Sequence, residues 1–189
     1  IEIDPYGYVN SKRVKKDGNL WVEADNKYVK IIYPTQWDQG KLDEISSDIK
    51  IVDESIKGQH GTLDDLVDEE SFIQFFLMQE FFENGDADRA SQYFYKESKN
   101  GKLTAGPIWD FDLSMGHPWF SYDGNETNAL WIKGLITEDG WLKKLSENEA
   151  FMEKTFDYYK EHFSEAVRYV TDVSGLETVI RVRSSWYMD

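Results

Sequence analysis

Apolar positions along this chain change period several times, and each change marks an element. Ile1-Glu2-Ile3-Asp4 alternates, Pro5-Tyr6-Gly7 turns, and Asp17-Gly18-Asn19 is a turn between Val14 and Leu20-Trp21-Val22. The β-branched and aromatic run Tyr28-Val29-Lys30-Ile31-Ile32-Tyr33 predicts a further strand, closed by Pro34 and followed by a polar loop over 35–40. Leu42, Ile45, Ile49, Val52 and Ile56 then recur at three- and four-residue steps, which predicts an amphipathic helix over 41–57 ending at Gly58-Gln59-His60-Gly61.

The next helix has a different character. Asp68-Glu69-Glu70 supplies an acidic N-terminus with Asp68 as cap, and 72–82 carries five Phe in eleven residues. Apolar side chains cover nearly the whole circumference, so this helix belongs at the centre of the fold. Its burial is worth about 25 cal/mol per Å² of apolar surface.

A polar loop, 83–89, follows. Gln92-Tyr93-Phe94-Tyr95-Lys96 and Lys102-Leu103-Thr104-Ala105-Gly106 flank Asn100-Gly101, a strong hairpin signal. The second strand leads into Gly106-Pro107-Ile108-Trp109-Asp110-Phe111-Asp112-Leu113-Ser114-Met115-Gly116. In an extended segment Asp110 and Asp112 point to one side, and Trp109, Phe111 and Leu113 pack the other face into the core. Beyond lies a loop rich in aromatics and turn formers (Pro118, Trp119, Phe120, Tyr122, Gly124). Short helices are predicted at Trp131–Leu135 and Gly140–Leu145, and a long one over 149–170. Ser174-Gly175-Leu176-Glu177 matches a capping box opening a last helix toward Trp186. The elements together predict an α+β fold with strands first, a buried central helix, a hairpin and C-terminal helices.

Composition narrows the partners. The 189 residues suffice for one good core, and 21 basic against 36 acidic residues give a net charge of −15. That charge argues against nucleic acid and anionic membrane surfaces. Cysteine is absent, and three scattered His (His60, His117, His162) exclude a His-rich metal site. No apolar run approaches the roughly 18 residues of a membrane span. The chain opens mid-strand at Ile1 without Met, so it reads as part of something longer.

Two carboxylates as close as Asp110 and Asp112 repel unless a cation or a shared proton relieves them. The order of parts is buried helix, acidic loop, hairpin and acidic segment. A short hairpin returns the chain, so Asp110 and Asp112 are expected beside Asn84 and Asp86, gathering three carboxylates and an amide. Such hard oxygen donors suit Mg²⁺, Mn²⁺ or Ca²⁺. Protein kinases place a catalytic loop, a hairpin and a metal-binding segment in this order. The plainer readings are solvated turn acids at 110 and 112, a loop acid at Asp86, a surface pair at Asp88 and Arg89, and surface or packing roles for His117. Trp119 and Phe120 fit a substrate groove or packing beneath the loop equally.

Asn84-Gly85-Asp86, Tyr93-Phe94-Tyr95-Lys96, Gly101-Lys102-Leu103 and Gly106-Pro107-Ile108-Trp109-Asp110-Phe111-Asp112 resemble the CotH family, named for spore coat protein H. Glu2-Ile3-Asp4, Tyr33-Pro34 and Ser71-Phe72-Ile73 also look like family counterparts. The resemblance covers most of 1–170 and is densest over 71–116. It implies an atypical protein-kinase-like fold, here the C-lobe, in a bacterial extracellular, cell-surface or spore-coat protein. It also implies phosphate transfer from ATP, with Mg²⁺ or Mn²⁺, to Ser or Thr of a protein substrate. By the same resemblance Asp86 is the catalytic-loop acid and Asn84 holds that loop or helps bind the metal. Asp110 is the metal-binding aspartate, and Asp112 is a second ligand or a supporting group.

The chain departs from the kinase pattern at Ser91, where a metal-binding Asn is expected, and at Asp112, which replaces the Gly of Asp-Phe-Gly. Glu97 stands where the family often has Asp. The phosphate-binding Lys and its Glu partner are expected upstream of Ile1. Residues 1–189 therefore read as a single-domain fragment lacking its N-terminal part, with little kinase activity alone. The other function class is a non-catalytic module, either an assembly pseudokinase or a binder of cell-wall glycan or polysaccharide-associated proteins through its seven Trp and eleven Tyr.

Overall fold

The computed structural model describes residues 1–3, 20–24, 27–88, 90–114 and 140–174. The turns expected at 5–7 and 17–19, His117, Trp119, Phe120, the helix at Trp131–Leu135 and the last helix toward Trp186 lie outside them.

Within the described residues the fold is α+β, with one five-stranded sheet in the spatial order β2-β3-β1-β4-β5. The strands are β1 (Glu2–Ile3), β2 (Leu20–Ala24), β3 (Lys27–Ile31), β4 (Gln92–Tyr95) and β5 (Thr104–Ala105), and all neighbours run antiparallel. β1 is the middle strand: Glu2 faces Lys30 on one side and Tyr93 on the other. The Lys30 ammonium closes on the Glu2 carboxylate at 3.1 Å, so this cross-strand pair neutralises a nearly buried acid.

Helix α1 (Gln39–Ile56) begins inside the expected loop because the Asp38 carboxylate accepts from the Lys41 N–H at 2.9 Å and caps it. Its buried stripe is Leu42, Ile49, Val52 and Ile56. One short turn of helix, α2 (Leu63–Leu66), carries no periodic signal because four residues bury only Leu63. Helix α3 (Glu69–Phe81) starts at its expected cap, with Asp68 accepting from the Ser71 N–H at 3.3 Å. The Ser71 hydroxyl accepts in turn from Ala105 N–H at 2.9 Å, which fastens the helix start to β5.

The α3 phenylalanines meet three different elements, which explains their spread around the helix. Phe72 and Phe75 pack on Phe94 of β4 at 5.5 and 6.0 Å, Phe76 meets Phe151 edge-on at 5.7 Å, and Phe81 meets Phe163 at 5.9 Å. Each fully buried ring contributes about 1.5–3 kcal/mol. Trp141 closes the cluster against Phe94 at 5.0 Å, and its indole N–H donates to the buried Asp53 carboxylate at 2.8 Å. Lys57 pairs with that carboxylate at 2.6 Å, so the buried acid keeps its charge compensated.

The C-terminal helices are α4 (Trp141–Ser146), α5 (Glu149–Tyr158) and α6 (Ser164–Ser174). The predicted helix over 149–170 is thus one rod interrupted by a π turn at Tyr159–Phe163, and it extends to Ser174. Ser174 is the last described residue of α6. The hairpin also differs from expectation. Phe94 faces Ala105 and Tyr95 faces Thr104, so residues 96–103 all belong to the connection. Asn100-Gly101 sits in a turn closed by Gly101 N–H on the Ser98 carbonyl at 3.0 Å. Leu103 leaves the hairpin to bridge Val67. No helix among the described residues is long and apolar enough to cross a membrane.

Candidate functional site

The site begins where α3 stops. Glu83 takes a left-handed backbone (φ 49°), and the Glu83 and Asn84 N–H groups return to the Glu80 and Gln79 carbonyls at 3.3 and 3.2 Å. This is a Schellman termination with Glu in the place usually held by Gly. It turns the chain sharply and leaves Asn84 only 2% exposed.

Buried there, Asn84 uses both ends of its amide. Its Oδ1 accepts from Asp86 N–H at 3.2 Å, and its Nδ2 donates to the main-chain carbonyl of Asp110 at 3.0 Å. Gly85 N–H donates to the Leu113 carbonyl at 3.0 Å. Two hydrogen bonds therefore join the loop after α3 to the segment after β5. The backbones that carry Asp86 and Asp110 are brought together, as the order of parts suggested.

The acidic segment is not a strand. Gly106 N–H donates to the Tyr93 carbonyl at 2.8 Å as the ladder ends, and Gly106 itself has φ 129°, a backbone that side-chain-bearing residues rarely adopt. Asp110 is left-handed (φ 65°), and residues 112–113 form a turn. The expected alternation is lost with it. Trp109 is 46% exposed, standing edge-on to Tyr93 at 5.3 Å, while Phe111 is half-buried against Phe82 at 5.5 Å. A left-handed residue reverses the period of two, so Asp110 and Asp112 do not share a strand face.

Asp110 is held by Ser91. The Ser91 hydroxyl donates to Asp110 Oδ2 at 2.7 Å, and Trp109 Nε1 donates to the Ser91 carbonyl at 3.1 Å. Ser91 is left-handed as well (φ 57°). Three residues other than glycine with positive φ thus border the loop pair: Glu83, Ser91 and Asp110. Asp112 is exposed.

Among the described residues no group of three or more His, Asp or Glu side chains lies close enough to hold a metal ion. The expected convergence of three carboxylates is absent there because Asp112 is turned out to solvent. What remains is the Asp110 carboxylate, whose Oδ1 takes no hydrogen bond among the described residues. A single carboxylate fits an ion whose other ligands come from water and substrate phosphates, as Mg²⁺ is commonly bound, and not an all-protein cage.

Asp88 is a correction. It does not lie on the surface but is a buried carboxylate that accepts from Leu142 N–H at 2.8 Å and Lys143 N–H at 2.9 Å, capping α4, while Arg89 lies outside the described residues. A Cβ on Gly140 would collide with the Asp88 carboxylate, so only glycine fits there. The bond spans more than fifty residues, and nothing local in the sequence announces it. Gln92 Nε2 holds the Ala87 carbonyl at 2.7 Å, fixing the same loop from β4.

A cleft of about 510 Å³ lies elsewhere, between α1 and the hairpin connection. Ile45, Ile49, Val52, Phe94 and Leu103 line it with Tyr33 and Tyr95, and ion pairs Lys96–Asp48 (2.7 Å) and Lys99–Glu44 (3.0 Å) run between its two sides. None of Asn84, Asp86, Asp110 and Asp112 contributes to its lining.

Residues 4–181 match the model of the family described as CotH kinase protein. That match takes in most of the chain, which therefore belongs to the CotH kinase family. No curated protein and no solved structure matches it.

Proposed function

We propose, from that membership, that the chain carries the catalytic-loop and metal-binding part of a protein kinase that phosphorylates Ser or Thr of extracellular, cell-surface or spore-coat proteins. The observation that carries this reading is the pair of hydrogen bonds joining the Asn84–Asp86 loop to the Asp110–Leu113 segment. In phosphoryl transfer the substrate hydroxyl oxygen bonds to the γ-phosphorus as the bond to the bridging oxygen of ADP breaks. Asp86 orients the hydroxyl and accepts its proton. Asn84 fixes the loop on which Asp86 sits. Asp110 would hold Mg²⁺ or Mn²⁺ together with water and substrate phosphates, and the ion when bound offsets the charge on the transferring phosphates.

The test is phosphotransfer from ATP to protein Ser or Thr by the intact protein, wild type against Asp110→Ala and Asp86→Asn. Activity falling at least a hundredfold in both variants, with unchanged thermal unfolding, is the expected result. Wild-type rates in either variant would remove that residue from its role.

A second reading has one observation in its favour. Tyr33 is 78% exposed and borders the cleft together with Tyr95, where packing does not account for either ring. That arrangement suits a non-catalytic module that binds glycan or protein. Loss of ligand binding in Tyr33→Ala, with phosphotransfer undetectable in the intact protein, would favour it over the kinase reading.

A further inference from the structure

We infer that Ser91 is a positioning residue that sets how the Asp110 carboxylate meets a divalent ion, and through it which ion is preferred; this rests on the reading of Asp110 as a metal ligand. The geometry is specific. Ser91 Oγ donates to Oδ2 at 2.7 Å, and Oδ1 accepts no hydrogen bond among the described residues. A carboxylate with one oxygen engaged by a hydroxyl favours binding an ion through its other oxygen alone. One-oxygen binding suits the compact octahedral shell of Mg²⁺ or Mn²⁺, whereas Ca²⁺ readily takes both oxygens.

The loop is built to keep that hydroxyl in place. Ser91 has φ 57° and Asp110 has φ 65°, so both ends of the bond sit on sparsely populated backbone that neighbouring contacts must hold. Trp109 Nε1 supplies one such contact, donating to the Ser91 carbonyl at 3.1 Å. Gln92, the next residue, supplies another by donating to the Ala87 carbonyl at 2.7 Å. Ser91 is therefore fixed through its backbone, and its side chain has one described partner, Asp110. Hydrogen-bonded supports of this kind typically change metal affinity by about 10- to 100-fold when removed.

The test is calorimetric titration of the protein with Mn²⁺ and, separately, Ca²⁺, comparing wild type, Asp110→Ala and Ser91→Gly. Glycine suits the left-handed backbone, so Ser91→Gly removes the hydroxyl without endangering the fold, and thermal unfolding checks this. The expected result is Mn²⁺ affinity about tenfold weaker in Ser91→Gly and a narrower preference for Mn²⁺ over Ca²⁺. Wild-type affinity and preference in Ser91→Gly would overturn the role of Ser91 alone, provided Asp110→Ala binds more weakly than wild type. Equal weakening for both ions, with the preference unchanged, would also overturn it, as a purely structural effect. Identical binding by wild type and Asp110→Ala would remove Asp110 from the metal site, and the inference with it.

Discussion

Asn84 donates its side-chain amide to the main-chain carbonyl of Asp110, 26 residues further along the chain and 3.0 Å away. The same amide accepts from Asp86 N–H through its oxygen. One buried side chain thus sets the backbone of the proposed catalytic acid and of the proposed metal ligand at once.

Asn84→Ala removes both bonds and leaves half-buried backbone groups at 86 and 110 without this partner. A loss of about 1–3 kcal/mol is expected in urea unfolding. Phosphotransfer by the intact protein should fall further than the fraction unfolded accounts for, because Asp86 and Asp110 lose their common support. A purely proportional fall would make Asn84 a stability residue only.

Gly140→Ala drives a methyl group into the Asp88 carboxylate. It should cost several kcal/mol, and Asp88→Ala should cost about 1–2 kcal/mol as a lost cap. The two changes contact each other, so the double variant should be clearly more stable than the sum of the singles implies. Additive losses in a double-mutant cycle would contradict the packing of Asp88 against Gly140.

Trp141→Phe keeps most of the ring packing on Phe72 and Phe94 and removes the indole donor to Asp53. About 1–3 kcal/mol is expected, since the carboxylate is fully buried. Trp141→Leu should cost more, by the lost aromatic volume. Thermal unfolding of the two variants separates the terms.

Lys154 joins Asp64 at 2.9 Å and Glu69 at 2.7 Å, linking α5 to α2 and α3. Hydrogen bonding to Glu69 and Asp64 raises the Lys154 pKa above the usual lysine value, and the bond to Lys154 lowers that of Asp64. A lowered carboxylate pKa adds stability above the unfolded value, which is lost as pH falls through the folded one. The raised lysine adds stability that is lost as pH climbs through its folded value. The gap between wild type and Lys154→Ala should therefore be flat through neutral pH and close in acid and in strong base. All three groups are exposed or half-exposed, so the gap itself should stay under about 1 kcal/mol. A gap that widened in acid would reverse the sign of the assignment.

Much of this was readable along the chain, because the signals were local. The period of α1, the Asp68 cap and the apolar girth of α3 each sit within a few residues of the structure they predict. The order of parts reached further, because a short hairpin that returns the chain brings Asn84 and Asp110 to one place. The failures are contacts between distant residues and single backbone choices. Asp88 finds its partners at 142 and 143, across a separation no periodicity spans. One positive φ at Asp110 undoes an alternation that is otherwise well formed in Trp109, Phe111 and Leu113. The π turn at Tyr159–Phe163 hides for the same reason, since an added residue in one turn leaves the apolar spacing almost unchanged.

The seam of the sheet is the two-residue strand Glu2–Ile3, which borders Lys30 and Val29 on one flank and Tyr93 and Gln92 on the other. The β2–β3 ribbon and the β4–β5 ribbon are each paired to this strand and not to one another, so its second flank is filled only by residues about ninety positions further along the chain. Without them that flank is an open edge capable of capturing a foreign strand. Displacing Glu2–Ile3 would divide the sheet in two, and the loosened half would be the β4–β5 ribbon, which Ser91 immediately precedes and which leads on toward Asp110.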